Sequence, residues 1–427
     1  MKVMSAIGRA IKRFFLWLFM VAVMVVLLVG GVTLFFYQQA GSDDLPQTTV
    51  SFGGTALSLN GFDFTIPILG GITHKEYSQP EDLTVQDLGS FTTQPAFSFS
   101  EALRSDCTTS LTITNEAGES VFSGSLAQYE SFQFVKNGKY QAALRIGWPP
   151  LNSNTTGESF YQFRFVLDLE SEISISANSV YQGDVIAVSV KGLPQGATVT
   201  VDTELGTAYP VARFDSIMAY IPVAYNREDG DYTIAVTAGG FTQQFTVKVL
   251  YNQFQKVSLA ADTLAGSNAA VQAYQQVVFP LYQTHSDEVM WSGVFQHPVE
   301  QPNDAVVLSD YGSFEYIADR TSPSRNIGIT YKCHSDKQVV APAGGTVVYA
   351  GTQELTNGLV VIEHGAGIKS YIYHMSSVNV KTGDVVQAGT PIGTTSELLQ
   401  FDMRIGNQAI NPNLAINGAN GMFWRAP

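Results

Sequence analysis

Six histidines and two cysteines are the side chains best suited to hold a metal ion or move a proton. Cys333, His334 and Asp336 lie close together, and His364 precedes His374 by ten positions. Imidazole, thiolate and carboxylate are the usual zinc donors, and a histidine beside a bound water is a general base. A Cys-His neighbour pair is a poor start for one site, because adjacent strand residues point to opposite faces. No histidine follows His374, so no imidazole from further along the chain can join it. His74, His285 and His297 fall in loop-like contexts and are expected at the surface.

The residues around His364 and His374 belong to short strands punctuated by glycine. The blocks run in order as Arg325-Asn326-Ile327-Gly328-Ile329-Thr330, then Val340 to Val347, then Val361-Ile362-Glu363-His364-Gly365-Ala366-Gly367. Tyr371-Ile372-Tyr373-His374-Met375, Val380 to Gly393, and Leu398-Leu399-Gln400-Phe401-Asp402-Met403-Arg404 complete the set. Together they resemble the LytM or M23 family of zinc endopeptidases, lysostaphin-like enzymes that cut peptidoglycan cross-links. The resemblance covers roughly a third of the chain and implies an antiparallel β domain over residues 285–427.

The resemblance also implies a site. The family binds zinc through an H-x-x-x-D motif and the last His of H-x-H, while the other His of that pair and a separate His handle protons. Here Asn326 stands at the first His, Thr330 at the Asp, and Leu398 and Gln400 at the H-x-H. Only His374 is retained. Leu cannot coordinate, and the neutral oxygens of Asn, Gln and Thr are weak zinc donors beside imidazole and carboxylate. The expectation is a degenerate member with no metal and no cofactor. His374, Tyr373, His364 and Asp402 then become candidates for lining a binding groove. His364, in His-Gly-x-Gly, also fits a family position that reads as structural support.

These elements sit at the end of a chain of 427 residues with 23 Lys+Arg against 37 Asp+Glu, a net charge of −14. That balance excludes an ordinary nucleic-acid binder, which needs clustered cations. Charged residues make up only 14%, while Gly, Tyr and Phe are plentiful, a mixture suited to short strands and turns. Cys107 and Cys333 fall in different expected domains, so no disulfide is expected between them.

Residues 14–37 carry no charge and, as a helix, would span about 36 Å, enough to cross a bilayer. Lys2, Arg9, Lys12 and Arg13 precede them, and Asp43 and Asp44 follow. The positive-inside rule puts residues 1–13 in the cytoplasm and the remainder outside a bacterial cell membrane, as a single-pass protein. The long apolar run ends in Phe35, Phe36 and Tyr37, which suits a retained anchor better than a cleavage site.

Between the anchor and residue 285 the pattern is mainly β. Alternating or apolar runs at Ser110–Thr114, Glu130–Val135, Tyr140–Ile146 and Phe160–Leu169 read as strands of a first module over 45–170. A second set from Ile173 to Val249 predicts a sandwich over 171–250. Tyr140 and Tyr232 each follow an Asn/Asp-Gly turn, like the tyrosine corner of Ig-like domains, and suggest two tandem Ig-like modules. The segment 256–284 reads as a helical linker with Ser267 as cap and Pro280 as stop.

The function expected is a membrane-anchored, non-catalytic M23-like protein that binds peptidoglycan or an envelope protein partner. The anchor-then-LytM order is similar to LytM-like membrane proteins of the sporulation channel. The alternative is an active zinc metalloendopeptidase with an atypical metal site; a purely structural adhesin is the third reading.

Overall fold

A computed structural model describes residues 2–82, 84–150, 154–194, 196–259, 266–301, 303–318 and 320–426. Residues 260–265 of the expected linker lie outside the described residues. The fold is mainly β after one long helix, α1 (Lys2–Gln39), whose stretch Ile11–Gln39 is long and apolar enough to cross a membrane. The chain divides into two compact units, one of residues 1–133 and 137–169, the other of residues 134–136 and 170–427.

The first unit holds β1 (Gly61–Ile68), β2 (Thr73–Gln79), β3 (Thr108–Asn115), β4 (Ser120–Gly124), α2 (Leu126–Tyr129), β5 (Lys136–Trp148) and β6 (Thr156–Leu167). They form one sheet in the order β2-β1-β6-β5-β3-β4, with antiparallel neighbours. Strict alternation puts Ala142, Leu144 and Ile146 of β5 inside. Phe52 is the hub of the aromatic core, with its ring 4.7–5.1 Å from Phe97, Phe163 and Phe165.

Two expectations change here. Glu130–Val135 is not a strand. Ser125 and Gln128 form a capping box, with the Gln128 side chain accepting from the Ser125 N–H at 2.8 Å, and this starts the turn of α2 just before it. The Asn137-Gly138 pair is not a turn either. It lies inside β5, and Tyr140 sits mid-strand, stacked on Phe165 at 5.6 Å.

The second unit begins with strands that build two sheets. These are β7 (Glu172–Ile175), β8 (Ser179–Tyr181), β9 (Val185–Lys191), β10 (Val199–Thr203), β11 (Val211–Arg213), β12 (Ser216–Pro222), β13 (Gly230–Ala238) and β14 (Phe241–Leu250). They make two four-stranded sheets, β7-β9-β12-β11 and β8-β14-β13-β10. The Tyr232 hydroxyl donates to the Glu228 carbonyl at 2.9 Å, a bond back to the chain just upstream.

The unbroken apolar run of β9 has a physical cause: both of its faces are covered. Ile186, Val188 and Val190 point into the core between the two sheets, while Val185 and Ala187 join the core of the C-terminal domain. Met218 and Tyr220 of β12 do the same. Arg213 stacks over Trp291 at 3.4 Å and donates to the Tyr220 hydroxyl at 2.7 Å, pinning the same boundary.

The C-terminal part adds β15 (Lys256–Leu259), α3 (Asn268–Leu281), β16 (Ala305–Ser309), β17 (Phe314–Ile317), β18 (Ile329–Cys333), β19 (Gly345–Gln353), β20 (Asn357–Gly365), β21 (Ile368–Val378), β22 (Val385–Val386) and β23 (Pro391–Ile405). Its main sheet runs β16-β18-β23-β21-β20-β19-β22. The stretch expected as a linker is built in: β15 pairs in parallel with β17, and α3 packs on the main sheet. Ser267 caps α3, accepting from the Ala270 N–H at 3.1 Å. Pro280 lies within the last turn of α3, so the helix ends just beyond it. Gly367 shows why the family block needs glycine. Its φ is +73°, and a Cβ there would fall 2.3 Å from the Tyr209 ring of the sandwich.

Candidate functional site

Strand β23 builds the site by alternation. Leu399, Phe401, Met403 and Ile405 enter the main core, which turns Leu398, Gln400, Asp402 and Arg404 to the other face. Thr330 of β18 lies opposite Gln400 in register, and Tyr371 and Tyr373 of β21 lie opposite Asp402 and Gln400. Asn326, just before β18, completes the group. Gly328 must be small there, since a Cβ would lie 2.1 Å from the Asp402 carboxylate.

Asn326, Thr330 and Gln400, the three positions aligned with zinc ligands, do converge, but on one another. The Asn326 amide donates to the Thr330 hydroxyl at 3.0 Å, which donates to the Gln400 carbonyl at 2.7 Å. The Gln400 amide donates back to the Asn326 carbonyl at 3.0 Å, closing a ring. Spare valences are also used. Asn326 donates to the Ser309 carbonyl and accepts from Gly328 N–H, while Gln400 donates to Asp402 at 2.8 Å. All three residues are buried. A ring of neutral, mutually satisfied oxygens and amides does not fit zinc, which asks for imidazole, thiolate or carboxylate with a free lone pair. Among the described residues, no three His, Cys, Asp or Glu side chains are grouped to hold an ion. Leu398, at the position of the family's proton carrier, is half-buried on the same strand face.

His374 is buried, and its φ of +62° places a non-glycine residue in the left-handed region, at an irregularity in the β21–β23 pairing. Such strain costs on the order of 1 kcal/mol and persists only where surrounding bonds enforce it. The His374 N–H donates to the Thr356 carbonyl at 2.8 Å, and its carbonyl accepts from Ser396 at 2.6 Å. Its Nε2 is buried without a hydrogen-bond partner. Burial holds its pKa below the usual histidine value, which favours the neutral ring.

The other groove candidates are interior. Tyr373 and Asp402 are 3% and 2% exposed, and His364 is wholly buried. The groove expected over them is closed by the chain itself. Tyr274, Val277 and Leu281 of α3, with Tyr282 just after it, pack against Leu359, Val361, Tyr371 and Tyr373. The Tyr274 and Tyr373 hydroxyls meet at 3.2 Å, and Arg404 stacks over Tyr282 at 4.8 Å. Burial raises the Asp402 pKa, opposed by Arg404 and by hydrogen bonds from Gln400 and Tyr373. Tyr274, Tyr282 and Arg404 were not among the expected site residues. The one available signal was the 398, 400, 402, 404 alternation, which places Arg404 on the site face.

His364 takes the structural role. Its ring nitrogens lie 2.7 Å from the Gly344 carbonyl and 2.8 Å from the Ser370 hydroxyl, and Phe295 packs edge-on at 5.0 Å. Burial pushes its pKa down to about 4. Above pH about 6.5 neither the folded nor the unfolded chain protonates this group, and its full contribution to stability is present. As pH falls from about 6.5 to about 4 the unfolded chain takes up a proton that the folded one refuses. About 3 kcal/mol is expected to be lost over that window, levelling off below it. Urea unfolding across the window reads this directly. A profile that His364→Gln leaves unchanged would contradict it.

The remaining donors are scattered. His297 is half-buried rather than exposed, with Nδ1 2.8 Å from the Tyr331 hydroxyl, because Tyr331 needs a polar partner at the edge of the core. His74 is exposed, but on β2 rather than in a loop, and His285 is exposed beside Tyr209. Cys107 and Cys333 are both free thiols, and burial raises both pKa values, Cys333 to about 11.

Residues 324–412 match the model of Peptidase family M23. The chain is 30% identical over 118 residues to the murein hydrolase activator NlpD of Salmonella typhimurium, covering 26% of this chain and 29% of that one. It therefore spans less than a third of the length of that relative. Among solved structures, a putative peptidase M23 from Pseudomonas aeruginosa is 15% identical with a TM-score of 0.37, over 52% of this chain and 94% of that one. The SpoIIQ–SpoIIIAH pore-forming complex gives 23% identity and a TM-score of 0.26, over 30% of this chain and 92% of that one. The M23 match falls within the C-terminal domain and includes Asn326, Thr330 and Gln400, the residues read from the sequence as standing at zinc-ligand positions.

Proposed function

We propose that this is a membrane-anchored pseudo-peptidase of the bacterial envelope, which binds peptidoglycan or an envelope protein and does not cut. The hydrogen-bonded ring of Asn326, Thr330 and Gln400 carries the reading, since it spends on itself the atoms a metal would need. Leu398 removes a proton carrier as well. The apolar helix and the basic residues before it support an anchor with a cytoplasmic N-terminus and the remaining residues outside. The 30% identity to a murein hydrolase activator supports a role at the cell wall. With Tyr373, Asp402 and His364 interior, the partner engages outer surfaces of the domain rather than the degenerate site.

The test uses the full-length chain in detergent with purified peptidoglycan sacculi. The chain is expected to cosediment with the sacculi and to release no soluble muropeptides. Cosedimentation failing would shift the partner from the wall to an envelope protein. Muropeptide release abolished by a chelator would overturn the non-catalytic reading.

A further inference from the structure

We propose that the tip of the β1–β2 hairpin, residues 69–72, is a second membrane contact. It seats in the interfacial layer of the bilayer on the side where α1 ends. The inference rests on the reading of α1 as a retained anchor.

The tip has the wrong chemistry for a turn in water. Residues 66–73 read Ile-Pro-Ile-Leu-Gly-Gly-Ile-Thr, without a charge. Leu69 adopts φ +50° beside Gly70 at +68° and Gly71 at +95°. A left-handed turn position is taken cheaply by Gly, Asn or Asp, and a bulky Leu there is an outlier. The result is to present Ile72, 68% exposed, at the end of the hairpin. One exposed apolar residue would need no explanation. An apolar turn fixed beside the end of an apolar helix does.

Three contacts set the position of the hairpin relative to that helix end. Ile66 and Ile68 bury Ala40, with Leu69 and Tyr77 packed around them. Phe36 and Leu69 line one cavity of about 730 Å³, together with Gln39, Ala40, Asp43 and Asp44. The Lys75 ammonium donates to the Tyr37 carbonyl at 3.2 Å and the Ala40 carbonyl at 2.5 Å, and lies 5.4 Å from the centre of the Tyr37 ring. It thus satisfies carbonyls left open at the helix C-terminus. Phe35, Phe36 and Tyr37 are the aromatic residues that mark a membrane interface, and the turn lies on the tip side of Lys75. Charged and polar groups (His74, Lys75, Glu76, Asp43 and Asp44) flank the apolar tip, the arrangement of a segment lying at the headgroup boundary. Lipid is the occupant because the surface continues that of the membrane-crossing helix.

The experiment places an environment-sensitive NBD label on a Cys107→Ala, Cys333→Ala chain in lipid nanodiscs. Labels go at Ile72→Cys, at Ala117→Cys in the exposed turn at the far end of the same sheet, and at Leu27→Cys within α1. Lipids spin-labelled near the top of the acyl chain are the quencher for Ile72 and Ala117, and lipids spin-labelled near the end of the acyl chain are the quencher for Leu27, at the middle of the span. The Ile72 label is expected to be blue-shifted and quenched at least roughly twofold more than the Ala117 label. An Ile72 label no more quenched than Ala117, beside a quenched Leu27 label, would overturn the proposal and leave the anchor intact. An unquenched Leu27 label would overturn both.

Discussion

A chain carrying Asn326→His, Thr330→Asp and Gln400→His is expected to retain about one zinc ion per molecule, and the parent chain essentially none. The reason is the convergence of the three side chains. Each is within 3.0 Å of the next in a closed ring, and Thr330 and Gln400 are fixed opposite each other on paired strands. Two imidazoles and a carboxylate there form a three-ligand set, with ligand distances of about 2.0–2.2 Å and a fourth position open. Without metal the variant loses the ring and buries a carboxylate, so it is expected to be less stable than the parent. Zinc at about a hundredfold over its dissociation constant would restore about 2.7 kcal/mol. Elemental analysis after dialysis, with melting curves in the presence and absence of zinc, decides the point. With Leu398 unchanged, the loaded variant still lacks one proton carrier and is expected to stay inactive on sacculi. A folded variant that takes no zinc would show that the ring is not the outline of a lost ligand set.

The largest loss of stability is expected from Lys369→Met. Lys369 and Glu363 face each other across β20 and β21, at 0% and 4% exposure, with the ammonium 2.5 Å from the carboxylate. Lys369 also donates to the Thr284 carbonyl, and Glu363 accepts from the Gly365 N–H at 3.1 Å. Removing the cation leaves a carboxylate buried without its counter-charge, which costs about 3–5 kcal/mol. The double change Lys369→Met with Glu363→Gln removes both charges and should recover most of that loss. Denaturant unfolding of the parent and the variants reads the difference. A double variant no better than Lys369→Met would mean that the pair acts through packing rather than charge.

The C-terminal domain was readable because its glycines and strand blocks answer to close approaches, such as Gly328 against Asp402 and Gly367 against Tyr209. The identities of the ring residues were readable too, but their mutual bonding was not, since an aligned position states a residue type and not its partners. The closed groove was illegible for a different reason. Alternation shows that Tyr371, Tyr373 and Asp402 share a face, yet it cannot say whether water or α3 covers that face. The run Val185–Val190 was readable as a strand of the sandwich, but its second buried face, against the C-terminal core, was not. Glu130–Val135 failed because a local capping box at Ser125 and Gln128 outweighed an apolar pattern too short to specify a ladder.

The sandwich shares a core with the C-terminal domain, which makes it stiffer than a module joined by a free linker. Val185, Ala187, Met218 and Tyr220 contribute to the same buried cluster as Ile329, Phe401 and Met403, and Arg213 is clamped on Trp291 across the boundary. Pulling on residue 171 would therefore meet no slack between sandwich and M23 sheet. Tension would pass straight into β18 and β23, and the two would yield together or not at all.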